Sequence, residues 1–367
     1  MSLPRIRPAA AALVLLAAAA FSVPVGAERL AVLKQIDEPH PYYYREMYLP
    51  QVTSGPSAAA WSPDGTELVY AMQGTLWRQK LGSTEAIQLT DGPGYDSEPD
   101  WSPDGRRILY TSYRNDALEL WVVDLKDAST RALVANGAVN LDARWSPDGS
   151  RVAFVSTAFL GHWHVYVVDV KGGAAAGEPV RLTEEHDSQL PRYYYSKFDQ
   201  YLSPAWSPDG RELLLISNRG AVWGSGGVWR MEAKPGAPMR QIRNEETNWK
   251  AHPDWARDGR RVVYSSYLGR QRNQLWLMTS EGGHPFALSY CECDQTRPRW
   301  SPDGRRIAFV SNEEGNVALR VMAIPGGAVE AVVPGRRRYL KPTGTLRLTA
   351  TGASGGPMPV RLSVTGA

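Results

Sequence analysis

Trp61-Ser62-Pro63-Asp64-Gly65 is the stretch that decides how this chain folds. The same five residues recur as Trp101–Gly105, Trp145–Gly149, Trp206–Gly210 and Trp300–Gly304, and a degraded copy stands at Trp255-Ala256-Arg257-Asp258-Gly259. Pro at the second position of a four-residue turn pre-sets φ, Asp bonds back to nearby backbone, and Gly accepts a positive φ. Ser-Pro-Asp-Gly therefore reads as a hairpin turn, with Trp the last large side chain of the incoming strand. Successive tryptophans lie 40, 44, 61, 49 and 45 residues apart. Self-similarity at about 40–50 residues in a strand-rich chain indicates a propeller.

Each turn is followed by an alternating apolar run such as Arg107-Ile108-Leu109-Tyr110 or Arg306-Ile307-Ala308-Phe309, which reads as a second strand. Third strands follow (Leu120–Val123, Val165–Val168, Leu275–Leu277), and fourth strands close most units (Ile87–Thr90, Val180–Thr183, Phe286–Ser289). Four antiparallel strands, six times, predict an all-β chain: a six-bladed propeller over residues 56–334.

Pro-x-Trp-Ser-Pro-Asp-Gly, then x-Ile-Ala-Phe-x-Ser, then a strand ending in Asp, then Leu-Thr, resembles the PD40 (TolB-like, WD40-like) repeat, over roughly residues 55–334. The resemblance specifies the fold. It leaves function open, because propellers host binding modules and enzyme domains alike.

Residues 1–27 read as a secretory signal peptide. Arg5 and Arg7 precede the apolar run Ala9–Phe21, and the small residues Val25-Gly26-Ala27 precede Glu28. The run is about 13 residues, short of the ~20 that span a bilayer, so no integral membrane span is expected after cleavage. Removal of the leader takes the net charge from +3 to about +1. A nucleic-acid binder needs a basic face, so no nucleic-acid partner is expected. Export to the periplasm or beyond also permits a disulfide between the only two cysteines, Cys291 and Cys293. A redox switch, half of a soft metal site and a plain pair of small half-buried residues all remain open for them.

Residues 28–55 form a pre-blade segment with a tyrosine cluster, Tyr42-Tyr43-Tyr44. The 61-residue gap between Trp145 and Trp206 holds an insertion, Glu184–Tyr201, whose Tyr193, Tyr194, Tyr195 and Phe198 offer a binding surface. Long loops within compact repeats are more often functional. This insertion falls on the face opposite the Pro-Asp-Gly turns.

Three residues before each Trp stand Ala58, Glu98, Asp142, Ser203, His252 and Arg297, with Asp96 close to Glu98. This ring is expected at the mouth of the central channel, where it would either bind a protein terminus, a small polar ligand or a cation, or simply wet the channel wall. His162 and His164 lie two apart, a spacing that recurs in metal sites, but no carboxylate lies near them in sequence. No metal ligand, cofactor or catalytic residue is assigned in this chain. It has no Gly-x-Ser-x-Gly elbow and no phosphate-binding loop before a helix.

After residue 334 the basic stretch Gly335–Tyr339 reads as a linker, and the alternating runs Gly344–Ala350 and Val360–Val364 as the first hairpin of a small β-sandwich-like domain that is cut at residue 367. Leader, propeller, insertion and β-rich tail together resemble the front of exported metal-dependent amidohydrolases. That resemblance implies a binding or scaffold module, with hydrolase activity and a divalent metal residing in a further C-terminal domain. The alternatives are a free-standing TolB-like periplasmic interaction propeller and the propeller of a prolyl-oligopeptidase-like serine peptidase.

Overall fold

The computed structural model describes residues 53–356, except 93, 115–116, 193–195, 248–250, 270, 345–346, 348 and 353–354. The leader, nearly all of the pre-blade segment, Tyr193–Tyr195 and the strand expected at Val360–Val364 lie outside the described residues. Among the described residues there is no helix. Six antiparallel sheets follow one another along the chain, as the repeat predicts.

Blade 1 comprises Ser57–Trp61, Glu67–Met72, Thr75–Lys80 and Glu85–Gln88. Blades 2 to 6 begin with Tyr95–Trp101, Asn140–Trp145, Tyr201–Trp206, Asp254–Trp255 and Gln295–Trp300. In blade 3 the strand His162–Lys171 carries two short edge pieces, Ala174–Ala175 and Val180–Arg181.

The turns form as their chemistry requires. The Gly65 N–H donates to the Ser62 carbonyl at 2.9 Å, and Gly65 adopts φ 71°. The Ser62 hydroxyl donates to Asp64 at 2.6 Å while accepting the Glu67 N–H at 2.9 Å. The same Ser–Asp bond recurs at Ser102, Ser146, Ser207 and Ser301. Hydrogen bonds from Ser146 and Ser150 hold the Asp148 carboxyl down at about 2. In blade 5, Ala256 has no hydroxyl, but the backbone bond from Gly259 remains and Asp258 accepts the Arg260 N–H at 2.8 Å.

The core lies between blades. One apolar cluster joins Trp61, Leu68, Tyr70 and Trp77 of blade 1 to Ala308, Leu319, Val321 and Val332 of blade 6, and so closes the ring. Each such fully buried large side chain contributes on the order of 1.5–3 kcal/mol. Arginines after the turns staple neighbours together. Arg306, Arg151 and Arg261 each lie over the repeat Trp of the next blade and donate to its turn glycine carbonyl.

Part of the stretch read as a linker pairs with the propeller. Arg336–Arg338 adds a fifth strand to blade 1, parallel to Glu85–Gln88. Gln79 donates to the Val333 carbonyl at 3.0 Å, and the Tyr339 ring meets Trp77 edge-on at 5.2 Å. Blade 1 has an outer edge with unpaired backbone groups, and the departing chain satisfies them. The two cysteines are joined as a Cys291–Cys293 disulfide.

Candidate functional site

Every blade distorts its innermost strand at the same place. Ala58, Glu98, Asp142, Ser203, His252 and Arg297 all take positive φ, between 36° and 55°. In blade 2, Ser97 pairs with Thr111 but Asp100 with Leu109, so one extra residue sits on the inner strand. The same offset occurs in blades 1, 3, 4 and 6. Such a bulge re-aims a side chain, and left-handed φ costs a non-glycine residue on the order of 1–3 kcal/mol. Five bulges, with the left-handed His252 at the equivalent position of blade 5, give the channel a belt of inward side chains.

The belt is self-satisfied. Arg297 donates to Glu98 at 2.9 Å, and the other Glu98 oxygen accepts the Asp142 N–H at 3.0 Å. Asp142 accepts the Ser203 N–H at 3.2 Å and the Ser203 hydroxyl at 3.0 Å. His252 Nδ1 lies 3.4 Å from Ser203 Oγ and 3.6 Å from Asp142 Oδ1. Burial first, and the Arg297 charge second, drive the His252 imidazole well below its ordinary pKa. His252 is therefore neutral, and its contact with Asp142 is a polar contact and not an ion pair.

Glu98, Asp142, Ser203, His252 and Arg297 thus come together, and Ala58 contributes no polar atom. Asp96 falls outside the belt. It bonds to Ser112 at 2.6 Å and lies 3.4 Å from Arg114, within blade 2. The extra residue in the bulge reverses which face the preceding positions occupy.

A second charged layer lies one step toward the turns, at the residue before each Trp. Its members are Ala60, Asp100, Arg144, Ala205, Asp254 and Arg299. The order Ala-Asp-Arg repeats twice around the ring. Arg299 reaches Asp100 at 2.6 Å and Asp254 at 3.5 Å, and Arg144 lies 3.8 Å from Asp100. The two aspartates also accept the Trp145 and Trp300 N–H groups at 2.9 and 2.7 Å. Burial raises the Asp254 carboxyl and lowers the Arg144 guanidinium. The sequence does carry a signal for this quartet, since each member stands one residue before a repeat Trp.

Above the quartet a cavity of about 150 Å³ opens on the turn face, walled by the six repeat tryptophans and prolines such as Pro63 and Pro302.

Described residues of the insertion are hydrogen-bonded to blade 4. Arg192 and Asp199 pair at 2.8 Å with both side chains fully buried. Arg192 also donates to the Ala221 and Asn218 carbonyls at 2.9 and 2.7 Å, and Ser188 donates to Asp199 at 2.8 Å. Phe198, expected on a binding surface, packs its ring 4.4 Å from that of His162. Glu185 meets His162 Nδ1 at 2.7 Å. The carboxylate that seemed missing from the histidine pair is supplied by the insertion. His164 is fully buried, and burial drives its imidazole down to about 3, which keeps it neutral.

Comparison with known proteins agrees with this architecture. The TolB beta propeller domain family, PD40, matches residues 47–190 and 188–343. An uncharacterized protein of Agrobacterium fabrum, Atu1656, is 26% identical over 245 residues, 64% of this chain and 74% of that protein. The uncharacterized peptidase YuxL of Bacillus subtilis is 36% identical over 81 residues, 20% of this chain; the matched segment spans only 12% of that peptidase. The crystal structure of TolB from Acinetobacter baumannii superposes with a TM-score of 0.57 at 17% identity, covering 79% of this chain and 69% of that one, a likeness of fold alone. With two family matches spanning most of its length and six blades built on the Trp-Ser-Pro-Asp-Gly turn, the chain belongs to the TolB beta-propeller (PD40) family.

Proposed function

We propose that this chain is an exported binding scaffold that docks a protein partner on the rim carrying the insertion, and that its channel is a structural hub and not a conduit. The observation that carries the reading is the Arg192–Asp199 pair, which ties two described parts of the insertion to each other and, through Arg192, to the Ala221 and Asn218 carbonyls of blade 4. A pre-ordered surface avoids the entropy cost of ordering on association. The two self-paired layers across the channel support the same view, because their charges are already spent on each other. In its finer form the reading makes the module the N-terminal propeller of a metal-dependent amidohydrolase. The leader-like start, the insertion and the alternating apolar pattern in the sequence of the tail support that form.

Site-specific photo-crosslinkers test the docking claim in the native host. One is placed at Gln189 on the insertion and one at Arg257 on the turn face, both exposed. A discrete adduct from Gln189 and none from Arg257 is expected; an adduct from Arg257 alone overturns the reading. Export is tested by fractionation and N-terminal mass analysis, with Glu28 expected as the first residue.

A further inference from the structure

His162, His164 and Glu185 form a three-membered group of metal-ligating side chains, one ligand atom from each lying within 4.8 Å of the others. The two histidines stand at alternate positions of the blade 3 strand His162–Lys171, so both face one side of the sheet. Leu160 and Gly161, both left-handed, make the two-residue turn that starts this strand. Glu185 arrives from the beginning of the insertion.

His164 is anchored as a metal-binding imidazole is anchored. Its Nδ1 bonds to the Thr183 hydroxyl at 3.0 Å, which fixes the ring orientation and leaves Nε2 to point elsewhere. That Nε2 is buried with no hydrogen-bond partner. A buried polar atom without a partner costs on the order of 1–3 kcal/mol, so the arrangement is kept against a cost. Phe159 and Tyr201 lie 5.6 and 5.5 Å from the His164 ring, and Phe198 covers His162.

We propose that His162, His164 and Glu185 bind a divalent transition metal of the zinc class, which ties the start of the insertion to blade 3. Two imidazoles and one carboxylate form a donor set for zinc and its neighbours in the first transition row. Calcium and magnesium prefer all-oxygen shells. Bonds of about 2.0–2.2 Å in a tetrahedral shell put ligand atoms roughly 3.3–3.6 Å apart. The 2.7 Å His162–Glu185 contact opens slightly to admit the ion, and the Glu185 side chain, 28% exposed, has room to move. A water completes the shell. Two cations flank the site, each stacked on a ring: Arg181 over Phe159 at 3.7 Å and Lys197 over Phe198 at 4.6 Å. The site stands whether or not the rim docks a partner.

The test uses the tag-free chain, stripped with chelator and dialysed. Calorimetric titration with Zn²⁺ is expected to show one equivalent bound, with a rise in Tm. Co²⁺ in its place is expected to give the visible bands of a low-coordinate nitrogen–oxygen site. E185Q lies on a partly exposed loop and H162Q at a strand end, so both are expected to fold, as their circular dichroism will report. Each is expected to weaken Zn²⁺ binding by at least about tenfold and to abolish the Tm rise. H284Q, at an exposed histidine far along the chain, is expected to bind as the parent does. No binding to the stripped parent overturns the proposal, and so does an affinity that E185Q and H162Q leave unchanged. Preference for Ca²⁺ or Mg²⁺ over Zn²⁺ overturns the assigned class.

Discussion

The two charged layers of the channel lie at the third and the first residue before the repeat tryptophans, yet they are built on opposite principles. The quartet of Asp100, Arg144, Asp254 and Arg299 alternates in sign and repeats twice around the ring, and its members answer charge with charge. The belt of Glu98, Asp142, Ser203, His252 and Arg297 has one ion pair, and it completes its circuit with backbone N–H groups, a hydroxyl and a neutral imidazole. The quartet spends nothing on backbone strain; the belt is made entirely of left-handed residues. In a propeller the channel wall can therefore be closed either by balanced charge or by re-aimed backbone, and this chain uses one at each level. Substitutions that leave a charge stranded should be costly in the quartet and cheaper in the belt.

The sharpest break is Asp100→Ala. It leaves Arg299 and Arg144 facing each other across the channel with Asp254 the only remaining anion, and it removes the acceptor of the Trp145 N–H. Breaking a buried ion pair from one side costs about 3–5 kcal/mol. Chemical denaturation is expected to show a loss of that size with an unchanged m-value; a loss under about 1 kcal/mol would mean that the quartet is solvated. Glu98→Gln is the matched change in the belt. The amide keeps an acceptor for the Asp142 N–H and loses only the charge opposite Arg297. The expected loss is about 1.5–3 kcal/mol, the worth of a hydrogen bond to a charged group, and it should stay below that of Asp100→Ala.

How much of this was legible in the sequence follows from the range of each interaction. The turns were readable because Ser62, Asp64 and Gly65 satisfy one another within a few residues. The belt positions were readable because each lies at a fixed distance from a repeat Trp. Their self-pairing was not, since Arg297 and Glu98 are 199 residues apart and meet only when the ring closes. Asp96 looked equivalent to Glu98 until the bulge reversed its face. Glu185 looked remote from His162 because the insertion folds back across 23 residues to reach it. The strand Arg336–Arg338 was hidden by its composition: three consecutive arginines read as a solvated linker, and only the open edge of blade 1 gives them a ladder to join.

pH separates the layers further. The folded state holds His252 far below its ordinary value, while the unfolded chain protonates it near pH ~6.5. As pH falls below ~6.5 the unfolded state takes up a proton that the native state refuses, so native stability declines, by up to about 1.4 kcal/mol per pH unit. The stabilising effect is present above that pH and is lost through the acid range, before the carboxylates titrate. His252→Gln is expected to flatten the dependence of stability on pH between about 6.5 and 4.5 relative to the parent. An equal slope in the two proteins would place the titrating group elsewhere.

The smallest effect isolates the backbone term of the belt. Ala58 is its one member with no polar side-chain atom, so it carries the left-handed strain, φ 42°, and returns no hydrogen bond from its side chain. Glycine accepts this conformation freely, whereas an L-residue loses roughly 1–2 kcal/mol in it. Against that stands the extra freedom glycine gives the unfolded chain, about 0.4–1 kcal/mol. Ala58→Gly is therefore expected to raise stability by about 0.5–1 kcal/mol, visible as a small upward shift in denaturant midpoint. The same change at Ser203 removes a hydroxyl that donates to Asp142, and there the relief of strain should be cancelled or reversed. If glycine instead destabilises position 58, the methyl group's packing in the closed channel outweighs the strain, and the bulge is a comfortable conformation in this ring.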